Sequence, residues 1–580
     1  MLAPPLIHSI AQLHLVLMFH FNQNTKMKKI KQLTIYILFA TLLFSGCKKI
    51  DRFPETEFSD ADFWNTENDL INASNRLYQE LDGDWIDNRA DDAVNQGGPN
   101  EISTGNRSIP NTSGDWNDRY DEIFTANNIV EKAPRAKVTD PIKNRYIAEA
   151  RFFRAYAYFK LLKIYGDIPL VLKTLNVSSP ELYMGRTPRA ELIQAIYNDL
   201  DFAAIWLPKR ADLPAAQYGR VTRSAAWALK ARAGLYEGTR AKFHNITGIN
   251  WQNHLTIAIA AAQSVMAEGH TLYANYGNLF TQTGEGPTNT ENIFVKIYGV
   301  SNANVIVAHN NSRDLENGRM APTRNLLRQY LYSDGLPAWK VDNTPSTTQS
   351  PLFVNEGTEP SYNTILDNRD PRVAFTFFRS GDVAYQGPWV PKTSLGSRTA
   401  YAPKKGFSVT DQTINNAGTT DRILIRYAEV LLIYAEAKYE LNGSISDADL
   451  NLSINLLRTR VGFAPKLLNA FVTTNNLSMR DEIRRERTVE LAIEGFRYDD
   501  LMRWKLAETL LPQNLLGAKF IASEWVGTNG NSLTLNSDQV LITEQASSRH
   551  FRADRDYLYP VPVHEITTSG GTVTQNPNWQ

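Results

Sequence analysis

Cysteine is almost absent from this chain of 580 residues, which contains only Cys47. An intramolecular disulfide and a cysteine-based zinc site are therefore both excluded. An excess of charge is also missing, because 61 Lys and Arg residues balance 61 Asp and Glu residues. Proteins that bind duplex nucleic acid usually carry a basic excess that displaces counterions from the phosphates. The balanced composition therefore predicts no nucleic-acid partner.

Catalytic sequence motifs are lacking as well. The chain has no Gly-x-Ser-x-Gly, no His-Glu-x-x-His and no phosphate-binding loop, and its 9 His residues are scattered. Adjacent carboxylates occur at 91–92 and 499–500, but a glycosidase needs two carboxyl groups roughly 5–10 Å apart across a cleft. We therefore predict a protein that is not an enzyme, with a lipid-anchored glycoside hydrolase as the alternative. No cofactor is predicted; calcium at the acidic run 82–92 is an alternative, although this run fails the EF-hand pattern.

The sequence around Cys47 has the order of a bacterial lipoprotein signal. Lysines follow Met27, an apolar run occupies 33–44, and small residues precede the cysteine. This order is typical of a secretory signal, and the apolar run is too short to span a bilayer. The ending Phe-Ser-Gly-Cys resembles a lipobox, in which the cysteine becomes the acylated first residue of the mature protein. The alternative is a buried cysteine at the end of a core helix.

These features predict how the chain is divided. We expect an over-long gene start at 1–26, a lipoprotein signal peptide at 27–46 and a lipid-anchored tether at 47–58. The remaining residues, 59–580, are expected to form a single domain. Acyl chains on the cysteine would hold the protein at a membrane by burying hydrocarbon, at roughly 0.8 kcal/mol per CH₂ group.

Apolar residues at helical spacing dominate 59–270 and return in 421–580, where one predicted helix covers 424–441. Pro141 marks the first turn of a long helix, and Gly166 marks its end. Paired helices of this length, joined by short turns, are typical of tetratricopeptide-like hairpins. The sequence therefore predicts a mainly α fold built from helix hairpins.

The middle of the chain, 271–420, has a different pattern. Short β-like runs such as 293–298 and 373–378 are separated by Gly, Asn and Pro. We expect a loop-rich irregular segment with short strands, packed against the helix hairpins.

Several segments, in order along the chain, resemble one protein family. They are 62–66, 116–127, 149–158, 165–170, 219–223, 368–372, 425–437, 455–460, 485–504, 559–562 and 575–577. The densest match is Arg485-Glu486-Arg487-x-x-Glu490 followed by Arg497-Tyr498-Asp499-Asp500. Behind a lipobox, this ordered set resembles the SusD/RagB family of nutrient-binding outer-membrane lipoproteins, of the SusD-like, starch-binding-associated type. Opposite charges three or four residues apart share neighbouring helix surface, which favours a scaffold role for most of these residues.

The resemblance implies a SusD-like fold and a function. The protein would bind an oligosaccharide or polysaccharide at the cell surface and deliver it to a cognate SusC-like TonB-dependent transporter. It would be lipid-anchored in the outer membrane and face the cell surface. The alternative within this class is a binder of peptides or another non-sugar nutrient, with more charge and less aromatic stacking in its site.

Two loop regions have the composition of a sugar site, which needs flat aromatic rings for the C–H face and polar groups for the hydroxyls. The first loop follows the first helix, and there we predict Trp85 for stacking and Asn88, Arg89 and Asp92 for hydroxyls. The second choice of ligand-binding residues is Trp389 with Tyr401, in the middle segment. The alternative is that each aromatic residue fixes its loop to the core.

Overall fold

The described part of the chain runs from Phe63 to Gln580. The computed structural model describes residues 63–580 with the exception of 80, 82, 84, 85, 300–308, 386, 394–396, 414, 415, 417 and 526. Residues 64–580 form one compact unit. Cys47, the predicted lipidation site, and Trp85, the predicted stacking residue, lie outside the described residues.

The longest helix, Asp140–Tyr165, begins and ends where the sequence carries helix signals. Pro141 occupies its first turn, where the missing N–H has no helical partner to lose. The helix ends at Gly166, whose φ of 76° favours glycine because it has no Cβ. The predicted start and stop of this helix are therefore confirmed.

The described helices are numbered here in chain order. They are α1 Glu67–Asn75, α2 Gly114–Lys132, α3 Asp140–Tyr165, α4 Arg189–Trp206, α5 Arg223–Phe243, α6 Trp251–Met266, α7 Asn311–Glu316, α8 Arg324–Leu327, α9 Val373–Thr376, α10 Val409–Gln412, α11 Tyr427–Asn442, α12 Asp447–Asn451, α13 Ile454–Arg460, α14 Asn469–Thr474, α15 Met479–Glu490, α16 Arg497–Arg503, α17 Ala507–Leu510 and α18 Val563–Thr568.

Consecutive long helices pack into one array. Each helix from α2 to α5 packs against the next one in the chain. Helix α6 also packs against α11, and α11 packs against α15, so the array continues beyond the loop-rich segment. Gly234 permits the close approach of α5 to α6, since a Cβ there would lie 2.8 Å from the carbonyl oxygen of His254. The array confirms the predicted mainly α, helix-hairpin architecture.

The described strands are short and pair as antiparallel ribbons. They are β1 Ala93–Asn95 with β3 Met320–Pro322, β2 Asn292–Lys296 with β6 Arg422–Arg426, β4 Val383–Ala384 with β5 Gly387–Pro388, and β7 Leu515–Lys519 with β8 Val540–Glu544. The β1–β3 and β2–β6 ribbons join segments that are far apart in sequence. They attach the predicted loop-rich segment to the helical parts on both sides of it.

Two predicted elements differ from the structure. The β-like run 373–378 contains the short helix α9, whose turn is closed by a bond from the Phe377 N–H to the Val373 carbonyl at 3.0 Å. The helix predicted at 424–441 begins only at Tyr427, because the residues before it pair with β2 as strand β6. Tertiary pairing therefore overrides local helical preference at that point.

Signature charges form a buried ion-pair network where β6 meets α15. The Arg426 guanidinium contacts Glu291 at 2.9 Å and Glu490 at 2.7 Å. Arg372 reaches Glu490 from the loop-rich segment at 2.9 Å. Burial acts to raise the pKa of Glu490, but Arg460, Arg426 and Arg372 outweigh it and hold the pKa well below its usual range. These residues join distant segments, as expected for a scaffold.

The end of the chain packs against its N-terminal half. The Tyr559 N–H donates to the Ile164 carbonyl at 2.7 Å, and the Asn576 amide donates to the Tyr165 carbonyl at 3.0 Å. The Arg107 guanidinium lies 4.3 Å from the centre of the Tyr559 ring. The C-terminal segment therefore completes the core around helix α3.

No helix in the described part of the chain combines the length and the apolar character that are needed to cross a membrane.

Candidate functional site

The polar loop after helix α1 is held in place by Arg89. Its Nε and Nη2 atoms donate to the two carboxylate oxygens of Asp87, at 2.9 and 2.6 Å. Its Nη1 atom donates to the Tyr559 hydroxyl at 2.9 Å, and its guanidinium lies 4.5 Å from the centre of the Tyr498 ring. A two-pronged arginine–carboxylate contact fixes direction as well as distance. These contacts fix the backbone on both sides of Asn88.

Two of the predicted ligand residues, Asn88 and Arg89, line a cavity of about 480 Å³. Such a volume lies within the usual range for small-molecule sites, roughly 300–1,000 Å³. Asn100 lies beside them, and its amide donates to the Asn88 side-chain oxygen at 3.1 Å. The apolar part of the wall combines isoleucine and leucine side chains with five aromatic residues: Tyr156, Phe159, Tyr236, Phe496 and Tyr559.

The charged groups of this cavity, here called the Asn88 cavity, are arranged in pairs. Lys163 contacts the Asp499 carboxylate, and Arg487 donates to Asp500 at 2.8 Å. Burial acts to raise the pKa of Asp499, but Lys163 and Arg89 hold it below its usual value. Pairs of a cation and a carboxylate offer donors and acceptors side by side, as adjacent sugar hydroxyls require. The Arg487 Nη1 atom is buried and has no hydrogen-bond partner among the described residues.

Asp92, the third polar residue predicted to contact ligand, is buried and is not part of the cavity lining. Its neighbour Asp91 pairs with Arg497 at 2.7 Å. Burial, reinforced by the charge of Asp91, raises the pKa of Asp92 well above its usual value. Asp92 is therefore a core residue and not a surface contact for hydroxyls.

Trp389 and Tyr401, the second choice for ligand stacking, are both buried in the hydrophobic core of the loop-rich segment. The Trp389 ring stacks on Phe378 with 5.7 Å between centres, and its Nε1 donates to the Glu316 carbonyl at 3.2 Å. The Tyr401 ring packs against Phe377 at 5.5 Å. Both rings pack within this core and neither lines the Asn88 cavity, so these residues fit the alternative interpretation, in which they fix their loops to the core.

Sequence reasoning missed the part of the cavity that comes from α15, α16 and the turn between them. Arg487, Asp499 and Asp500 belong to the densest family motif, but their helical charge spacing indicated only scaffold. The motif itself was the signal that could have pointed to these residues. Their place beside the polar loop was not visible in the sequence, because folding brings the two segments together in one cavity. Among the described residues, no group of three His, Cys, Asp or Glu side chains could hold a metal ion.

The family comparison agrees with this architecture. The model of the SusD family matches residues 280–579, which is more than half of the chain. The chain belongs to the SusD family. A second family model, described as starch-binding associating with outer membrane, matches residues 70–235. The two matches cover both helical parts of this SusD-family protein.

Relatives and solved structures extend the similarity to nearly the whole chain. SusD-like protein P2 of Formosa agariphila is 24% identical over 95% of this chain and 100% of its own. A SusD-like carbohydrate binding protein from Bacteroides fragilis has a TM-score of 0.71 and 26% identity, with 87% of this chain and 99% of that chain covered. A laminarin binding SusD-like protein has a TM-score of 0.57 and 22% identity, with 89% and 100% covered, and shows the shared fold.

Proposed function

We propose that this protein binds a glycan at the cell surface and delivers it to a SusC-like TonB-dependent transporter of the outer membrane. Acyl chains on Cys47 hold it at that membrane. Membership of the SusD family, and the outer-membrane association in the description of the second family model, support this role. The carbohydrate binding and laminarin binding named for two structural neighbours support a sugar as the ligand.

The observation that carries the proposal is the Asn88 cavity. It combines aromatic rings with amides and paired charges, which is the combination that a sugar with C–H faces and hydroxyls requires. Asn88 accepts a hydrogen bond from Asn100 through its oxygen, so its amide nitrogen remains as a donor for a hydroxyl. Arg89 and Asp87 add a fixed donor–acceptor pair.

The same cavity supports a binding role over hydrolysis. A glycosidase needs a carboxylic acid whose pKa is raised so that it can protonate the leaving group. In the cavity, Lys163 holds the pKa of Asp499 below its usual value despite burial. Burial also acts to raise the pKa of Glu494, but Arg426 and Lys405 hold it below its usual value. Two ionised carboxylates held by cations are suited to accepting hydrogen bonds from hydroxyls.

Affinity electrophoresis of the full chain, purified in detergent, tests the proposal. The gels contain laminarin, amylopectin, xylan or polygalacturonate, and released reducing sugar is assayed in parallel. We expect retardation by at least one polysaccharide without sugar release. Asn88→Ala should weaken that binding roughly 3- to 10-fold, the value of one hydrogen bond. Asn531→Ala, at an exposed position outside the cavity lining, is the matched control and should bind like wild type.

Other outcomes identify the alternatives. Release of sugar that a single carboxylate substitution abolishes would establish a glycoside hydrolase. Binding of peptides, with no polysaccharide bound, would establish a different nutrient. For the transporter, we expect a neighbouring gene that encodes a large TonB-dependent barrel; an isolated gene contradicts the delivery step.

A further inference from the structure

Outside the Asn88 cavity, a sugar ring can stack only on an aromatic side chain that is exposed at the protein surface. Among the described residues, the aromatic side chains with more than a third of their surface exposed are Phe124 at 52%, Tyr183 at 61% and Tyr385 at 54%. Tyr183 follows the exposed Leu182 in a connection that also exposes other aliphatic residues. Phe124 lies on α2, where the Asn127 side chain donates to the Val171 carbonyl in this same connection between α3 and α4. Tyr385 differs from both because a guanidinium group, that of Arg313, lies 5.7 Å from the centre of its ring, although Val383 of the same hairpin is exposed as well.

The Tyr385 ring stands on a rigid base. It occupies the turn of the β4–β5 hairpin, and its backbone N–H donates to the Glu316 carboxylate at 3.0 Å. Trp389, directly after β5, is buried and donates to the Glu316 carbonyl at 3.2 Å. The hairpin is closed below the turn by a bond from the Trp389 N–H to the Asp382 carbonyl at 2.8 Å. A loop tied to the scaffold in this way holds an exposed ring with little conformational freedom.

A guanidinium group lies over one face of the ring. The Arg313 Cζ atom is 5.7 Å from the centre of the Tyr385 ring. Its Nε and Nη2 atoms donate to the carbonyls of Gln412 at 2.9 Å and Thr413 at 3.2 Å, which fixes its direction. No carboxylate of a described residue forms an ion pair with it. Because a guanidinium has five N–H donors, Arg313 retains donors for a ligand.

We propose that Tyr385 and Arg313 form a second sugar-binding surface, here called the Tyr385 platform. One pyranose unit stacks its C–H face on the side of the tyrosine ring that Arg313 leaves open, and Arg313 donates hydrogen bonds to hydroxyls of the adjoining unit of the chain. Neither residue lines the Asn88 cavity, so the platform is a separate contact for a glycan chain. This inference rests on the proposed glycan binding and names a further place where the glycan is held.

Helix α7 links the positions of Tyr385 and Arg313 through Glu316. Arg313 and Glu316 lie three residues apart on α7 and so share neighbouring helix surface. One of them flanks the ring, and the other accepts the backbone N–H that sets the position of the ring. A single short helix therefore positions both the stacking face and the hydroxyl donor.

The test uses the full chain in the same gels with laminarin, amylopectin, xylan and polygalacturonate. Tyr385→Ala should weaken the apparent affinity for the retarding polysaccharide about tenfold, because the stacking face is lost. Tyr385→Phe keeps the ring and should bind within about twofold of wild type. Arg313→Gln should weaken binding at least about tenfold, the value of a hydrogen bond to a charged donor. Tyr183→Ala removes an equally exposed ring elsewhere and should bind like wild type.

The outcomes separate this inference from the proposed function. If a polysaccharide retards the wild type and the Tyr385→Ala variant equally, the platform proposal is wrong and the proposed glycan binding still stands. An equal loss in Tyr183→Ala also overturns it, because the effect would then not depend on position. If the wild type is retarded by no polysaccharide, both proposals fall. Unchanged thermal unfolding of Tyr385→Ala shows that any loss of binding is not a loss of fold.

Discussion

Replacing Asp421 with asparagine should stabilise the protein above neutral pH. Asp421 is buried just before strand β6. Its backbone N–H donates to the Glu285 carboxylate at 2.8 Å, and its own carboxylate accepts from the Tyr298 N–H at 3.0 Å. Burial, reinforced by the charge of Glu285, raises the pKa of Asp421 from 3.8 to about 7. Burial also raises the pKa of Glu285.

The sign of the effect follows from proton binding. The folded protein holds a proton on Asp421 between pH 3.8 and about 7, whereas the unfolded chain has released it. The free energy of unfolding therefore decreases as pH rises through this window, and the full penalty is present above it. The interval from 3.8 to about 7 corresponds to roughly 4 kcal/mol at 1.36 kcal/mol per pH unit.

Asparagine at 421 keeps an oxygen acceptor for the Tyr298 N–H and carries no charge to repel Glu285. We expect Asp421→Asn to unfold at a higher urea concentration than wild type at pH 8, with a difference of up to roughly 4 kcal/mol. The difference should shrink towards pH 5 and vanish near pH 4. Asp212→Asn, at an exposed position, is the matched control and should follow wild type at every pH.

Urea unfolding followed by far-ultraviolet circular dichroism at pH 5, 6.5 and 8 measures these differences. A variant no more stable than wild type at pH 8 would refute the buried-pair reasoning. So would an advantage of the same size at pH 5 and pH 8, because a pH-independent gain cannot come from titration of this carboxyl group.

Two further substitutions test the closure of the fold and the membrane anchor. Gly105 has a φ of 71°, and a Cβ there would lie 2.1 Å from the His550 carbonyl oxygen. Gly105→Ala should therefore unfold at a lower urea midpoint than Gly571→Ala, where φ is 84° but the surrounding space is open; equal midpoints contradict the clash. Cys47→Ser should abolish labelling by an alkynyl fatty acid and move the protein out of the membrane fraction; continued labelling contradicts lipidation at Cys47.

Local signals predicted the helices well because they act within a few residues. Pro141 and Gly166 mark the ends of α3 by their own backbone geometry, without help from the rest of the fold. The residues of β6 could not be predicted as a strand, because their partner β2 lies more than a hundred residues earlier in the chain. Where distant pairing decides the conformation, a local pattern is not sufficient.

The candidate site was predictable in part for the same reason. Asn88 and Arg89 stand out because a polar loop after a helix favours exposed, functional side chains. Trp389 and Tyr385 are aromatic residues of one irregular hairpin, and no periodicity in that region separates the buried ring from the exposed one. The difference depends on Glu316. It accepts a hydrogen bond from the Tyr385 backbone N–H, which leaves that ring exposed, and another from the Trp389 ring, which is buried.

The contacts of the C-terminal segment with helix α3 set the order of events during synthesis. One of these contacts joins Asn576 to Tyr165, which lies 411 residues earlier in the chain. Tyr165 is therefore synthesised long before its partner. Helix α3 must therefore wait, with part of its apolar surface uncovered, until almost the whole chain exists. Contacts between such distant residues slow folding and lengthen exposure to aggregation. Loss of the C-terminal segment would therefore leave the end of helix α3 without this cover.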